Sequence, residues 1–115
     1  MTNTPRGLRP ENAPAAVRQA ISRLGASIAT ARVNRRWRQE DLAAKAGVTR
    51  RVIIRIEAGH LGVGIGAYVA ALWAMGLHQE VGEVASLERD VEGRTLAAAR
   101  MGERVRPSTD LDDEF

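Results

Sequence analysis

Two short amphipathic stretches meet at a glycine near the middle of the chain, and a β architecture cannot accommodate them. From Gln39 to Ala46, the apolar residues Leu42, Ala43 and Ala46 gather on one side while Glu40, Asp41 and Lys45 fall on the other. From Arg50 to Ala58, Val52, Ile53 and Ile56 do the same. Apolar spacings of three and four have the period of a helix, not the alternation of a strand. Gly47 lies between the two stretches, where a tight helix-to-helix turn often needs positive φ. Thr49 is placed to cap the second of the two helices, and Ala43 is small enough to let them cross closely.

The flanking sequence extends the same pattern. Val17, Ile21, Leu24, Ile28 and Ala31 form one apolar helix face, predicting a helix from Pro14 to about Arg35, bent or broken near Gly25. Pro14 suits the first turn, where its missing N–H costs nothing. After a glycine-rich loop, a fourth helix is expected over Ile65 to Met75, with Ile65, Tyr68, Val69 and Leu72 on one face. A fifth, about Glu80 to Leu87, would use Val81, Val84 and Leu87, and Thr95 to Met101 reads as one short helix more. The chain has no cysteine, four aromatics and 44% hydrophobic residues, so its core must come from Ala, Val, Ile and Leu, which favour packed helices over a sandwich. The predicted fold is all-α, a five-helix domain with a longer N-terminal helix and a short C-terminal extension. Residues 1–13 read as a flexible arm, 14–88 as the domain with the helix pair at 39–58, and 89–115 as an extension with an acidic tail.

Charge is divided sharply along the chain. Residues 1–60 hold 12 basic and 4 acidic side chains, whereas residues 61–115 hold 5 and 10. Sixteen of the 17 basic residues are arginine, the side chain best shaped for bidentate contacts to phosphate and guanine. Other chemistries lack their residues. The absence of cysteine removes thiolate ligands and disulfides and fits a reducing, cytoplasmic setting. His60 and His78 have no partner at metal spacing, so no metal or cofactor is expected. No serine sits in a nucleophile elbow and no carboxylate pair lies in an apolar context, so the chain does not read as an enzyme. GHLGVGIG (59–66) lacks the Gly-Lys-Ser/Thr ending of a phosphate cradle. The uncharged run from Ala58 to Gln79 has the length of a bilayer span but carries five glycines and His60, a poor helix in its first half, and no membrane association is expected. Trp37 and Trp73 read as core or interface residues.

Helix, three-residue turn, helix with glycine at the turn is the pattern of a DNA-reading helix-turn-helix. On the solvent side of its second helix lie Arg50, Arg51, Ile54 and Arg55, grouped by helical spacing as entry into a major groove requires. The run RQEDLAAKAGVTRRVIIRIEAG (38–59) strongly resembles the Cro/repressor-type helix-turn-helix family, also called the xenobiotic-response-element family, and the likeness extends over about residues 24–77. The resemblance implies that Arg50, Arg51 and Arg55 fall on base-reading positions. It also implies that Gln39 opens the first helix of the pair and contacts a phosphate, often while bracing the first residue of the reading helix, here Arg50. Arg32 and Glu57 fall on a position pair that forms a structural salt bridge in phage repressors of this family. Arg35, Arg36, Arg38 and Thr49 are the remaining candidates for phosphate contact. Arg38 stands where the family commonly has Ser, Thr or Asn, which weakens the expected helix cap. Val52 and Ile54 occupy positions that are often polar, so base preference does not transfer from a relative.

A narrower likeness follows. GVGIGAYVAALWAMGL and VASLERDVEGRTLAAARMGERVR are similar to HipB-like antitoxins, partners of HipA-like serine/threonine kinase toxins, with Val91 and Glu92 departing from the acid-Pro form. The expected function is a transcriptional repressor that binds operator DNA as a homodimer, with the antitoxin and autoregulator role as its biological setting. A stand-alone phage-type or host repressor, and a protein-binding adaptor that has lost DNA binding, are the alternatives. The acidic tail, with Asp110, Asp112, Asp113, Glu114 and a final Phe115, is expected to serve a protein partner, because DNA would repel it.

Overall fold

The computed structural model describes residues 7–103; the acidic tail lies outside them. All regular structure among the described residues is helical: α1 (Ala15–Asn34), α2 (Gln39–Ala46), α3 (Arg50–Glu57), α4 (Ile65–Ala74), a 3₁₀ segment (His78–Glu83) and α5 (Val91–Glu103). The chain divides into two compact units after Gln79.

In the first unit, Ile28 of α1, Leu42 of α2 and Ile53 and Ile56 of α3 are completely buried, and Tyr68, Ala71 and Met75 close the core from α4. The α2–α3 turn is built as its sequence requires. Gly47 adopts φ 77°, its N–H donates to the Ala43 carbonyl at 2.9 Å, and the N–H of Val48 reaches the same oxygen at 3.0 Å. The Thr49 hydroxyl then accepts the Val52 N–H at 3.2 Å, the expected cap of α3.

Gly25 does not break α1, which runs unbroken from Ala15 to Asn34. It is instead a point of backbone contact: a Cβ placed there would lie 2.2 Å from the Ile56 carbonyl oxygen and 3.1 Å from that of Glu57. The absent side chain lets α1 press directly onto the C-terminus of α3. At the other side of this crossing, Gly59 sits at φ 73° against the backbone of Ser22. The loop that follows is pinned by Tyr68, whose hydroxyl donates to the His60 carbonyl at 2.9 Å. Burial pushes the Tyr68 hydroxyl above its ordinary pKa.

Four expectations change. The N-terminal arm, where described, contains a turn: Asn12 and Ala13 donate to the Arg9 carbonyl at 2.9 Å, and Arg18 of α1 donates to the Ala13 carbonyl at 2.8 Å. The inner face of α4 is Tyr68 and Ala71, with Leu72 packed beside them and Met75 just past the helix end, whereas the expected Ile65 is 74% exposed; the helix is apolar on all sides, so periodicity could not choose its face. Trp73, read from the sequence as a core or interface residue, is 57% exposed and so is not part of this core. The expected fifth α-helix at 80–87 is a 3₁₀ segment (His78–Glu83) with Val81 half-buried and Val84 and Leu87 exposed. The short helix at 95–101 instead extends over Val91–Glu103. Asp90 begins that helix, its carboxylate accepting the Gly93 N–H at 3.0 Å.

Candidate nucleic-acid interface

The exposed side of α3 carries Arg50, Arg51, Ile54 and Arg55. The helix is only eight residues long, too short to hold itself in water, so its rigidity must come from behind. Ile53 and Ile56 anchor it in the core, and Glu57 ties its last turn to two other helices.

Glu57 is the centre of that tie. Arg32 of α1 meets it in a forked pair, Nε to Oε2 at 2.6 Å and Nη2 to Oε1 at 3.0 Å. The two side chains are 14% and 9% exposed. Gln39 of α2 donates from Nε2 to Oε1 at 3.1 Å. The third arm of the Arg32 guanidinium donates to the Trp37 carbonyl at 2.8 Å, fixing the α1–α2 connection. That connection turns sharply at Arg36, which holds φ 61°, a conformation rare outside glycine and asparagine. The hydrogen bond from Glu57 holds the Arg32 guanidinium above even its ordinary high pKa, against the opposing effect of burial. The network locks α1, α2 and α3 where α3 presents its outer face.

Gln39 therefore braces Glu57, not Arg50 as the family resemblance implied. The geometry explains the exchange: the Glu57 carboxylate, already turned inward by Arg32, offers Gln39 a charged acceptor. Arg50 instead lies beside Glu40 in a loose, solvent-exposed pair, Nε to Oε1 at 3.7 Å, and Glu40 also meets Arg38 Nη1 at 3.5 Å. Sequence reasoning missed this pairing of Glu40, taking it only as an outward residue of the first turn. The one signal available was its place at the N-terminus of α2, beside the start of α3.

The weak cap expected from Arg38 is made good from the other end. Arginine has no acceptor to offer the helix, but Asp41 reaches back: its carboxylate accepts the Arg38 N–H at 2.7 Å and contacts the guanidinium at 3.3 Å. These bonds hold the Asp41 carboxyl below the usual carboxylate range, the backbone N–H first. Arg35 is engaged elsewhere, donating to the carbonyls of Ala31 at 3.0 Å and Met75 at 3.2 Å, so it closes the C-terminal end of α4. Arg36, Arg38 and Thr49 remain at the surface around α2 and the start of α3. Lys45 lies 4.8 Å over the Trp37 ring, a cation–π contact that keeps this half-buried tryptophan against the core.

No group of metal-binding side chains occurs among the described residues, and none of their helices is long and apolar enough to cross a membrane. No curated protein and no solved structure matches the chain significantly. A family model does match: residues 28–64, from the second half of α1 to the loop before α4, fit the helix-turn-helix family, so this part of the chain is a helix-turn-helix, the architecture of DNA-binding transcription regulators.

Proposed function

We propose that the chain is a sequence-specific transcriptional repressor that binds operator DNA as a symmetric homodimer. The observation that carries this reading is the outer face of α3, where three arginines and Ile54 stand together while the helix's one carboxylate, Glu57, is turned inward and neutralised by Arg32. A surface helix with only positive charge facing out, held rigid from behind, suits a negatively charged groove. In this reading Arg50, Arg51 and Arg55 contact base edges, with guanine favoured, and Ile54 offers apolar contact to a thymine methyl group. Arg36, Arg38 and the Thr49 hydroxyl proton contact phosphates and set the register. Gln39 keeps a second amide proton for the same use beyond the one given to Glu57. Two copies place their α3 helices in successive major grooves, with half-sites ~34 Å apart.

The narrower assignment, antitoxin and autoregulator of a HipA-like kinase toxin, is supported by the sequence likeness of residues 62–77 and 84–106. A kinase-like reading frame beside the gene, and co-purification of its product with this chain, would establish it; absence of both would leave a stand-alone repressor.

The test of DNA binding is a titration against the DNA upstream of the chain's own gene at several salt concentrations. With three to five phosphates neutralised per monomer, the log–log slope for the dimer lies near −5 to −9, at about −0.9 per phosphate. A slope shallower than about −2 would overturn the reading in favour of a protein-binding adaptor.

A further inference from the structure

α4 is apolar on every side. Its sequence, IGAYVAALWA, contains no charged side chain and only two polar side-chain groups, the Trp73 indole N–H and the Tyr68 hydroxyl, the latter engaged with the His60 carbonyl. Tyr68, Ala71 and Met75 mark the buried face. At 100° per residue the opposite face is formed by Ile65, Gly66, Val69, Ala70 and Trp73, with Ile65 and Trp73 largely exposed. A helix that is apolar all round belongs in an interior, and a tryptophan and an isoleucine on open surface, with the half-buried Val69 between them, have the composition of an interface centre.

We infer that this outer face of α4 is the two-fold contact with a second copy of the chain. A two-fold contact sets a patch against itself, so each charge near the axis would meet its own sign. Within residues 15–74, α1, α2 and α3 all carry charged side chains; α4 carries none, and the uncharged run continues from Ala58 to Gln79. α4 is thus the helix on which identical surfaces meet without repulsion. Gly66 and Ala70 let the paired helices approach closely, so that Ile65, Val69 and Trp73 of each copy pack against the other. The contact also leaves the arginines of α3 free. Ten residues make a helix ~15 Å long, which offers less than the ~800 Å² per partner of a standard interface. The dimer is therefore weak in solution and tightens when adjacent half-sites hold two copies together. That last step rests on the DNA-binding reading; the contact itself does not.

The test uses the full chain without DNA, by sedimentation from micromolar to near-millimolar concentration. A reversible monomer–dimer equilibrium is expected, and Trp73→Glu and Ile65→Glu each weaken it by about tenfold or more without loss of helicity. Because the chain has no cysteine, Val69→Cys installs a single thiol; mild oxidation links two copies through it, whereas Arg23→Cys on α1 stays unlinked. A chain monomeric throughout, with no cross-link at Val69→Cys, would overturn the inference. So would a dimer indifferent to both glutamates, or a monomer whose thermal midpoint falls with Trp73→Glu, which would show residues 80–103 of the same chain covering the face. A wild-type dimer that ignores DNA upholds this inference while refuting the DNA-binding reading; a monomer that binds operator does the reverse.

Discussion

Replacing Glu57 with glutamine keeps the shape of the side chain and removes the charge that joins three helices. In the native protein the carboxylate accepts two bonds from Arg32 and one from Gln39. A glutamine amide has a single acceptor oxygen, so its NH₂ group is turned toward one of these donors, and the Arg32 charge loses its counter-ion where it is 14% exposed. Breaking a fully buried pair from one side costs ~3–5 kcal/mol; the slight exposure here, and the Trp37 carbonyl that Arg32 retains, reduce the expected cost to ~2–4 kcal/mol. For a domain of this size ~1 kcal/mol corresponds to ~4–8 °C, so the thermal midpoint falls by about 10–25 °C. Calorimetry or circular dichroism measures it directly. A double-mutant cycle with Arg32→Met isolates the pair: the double variant loses less than the sum of the singles, with coupling of at least ~1 kcal/mol. Because the pair is largely withdrawn from solvent, the loss changes little in high salt. A midpoint within about 2 °C of wild type, where exposed pairs normally fall, would refute the argument that this network holds α3 in place.

Three further outcomes are expected. Gly25→Ala gains up to ~1 kcal/mol of helix propensity, but its methyl meets the Ile56 carbonyl and forces α1 from α3, for a net loss of ~1–3 kcal/mol; a stabilised variant in chemical denaturation would show that the crossing relaxes freely. Asp41→Asn lowers stability at neutral pH, and because the native carboxyl titrates below its unfolded value of ~3.9, its contribution is complete above that value and disappears as pH falls through the lower, native one. Melting curves of both proteins should therefore converge below about pH 4; a constant gap down to strong acid would remove Asp41 from the cap. Arg51→Ala weakens operator binding by ~1–3 kcal/mol and relaxes preference at one base pair, and an equal loss on random DNA in a competition assay would reassign it to phosphate.

The helix pair was legible in the sequence because each of its signals is local. Gly47 at the turn, Thr49 as cap and the spacing of Leu42, Ala43, Ile53 and Ile56 each constrain backbone within a few residues, and the arginines of α3 share a face by helical period alone. Even the Arg32–Glu57 pair, 25 residues apart, could be anticipated from family resemblance, though its geometry could not. What only the tertiary structure decided is which surfaces meet. Gly25 looks like a helix breaker in one dimension and becomes a contact point once α3 crosses above it. Gln39 could have braced Arg50, but Arg32 had already turned the stronger acceptor toward it, leaving Arg50 to Glu40. The fifth helix carried an adequate local pattern yet forms a 3₁₀ segment with Val84 and Leu87 exposed, and α4, apolar all round, held no preference until α2 and α3 took one of its sides. Local sequence specifies an element when the interactions that stabilise it lie within one or two turns; orientation, partner choice and burial depend on groups distant in sequence, and only the packed chain brings those together.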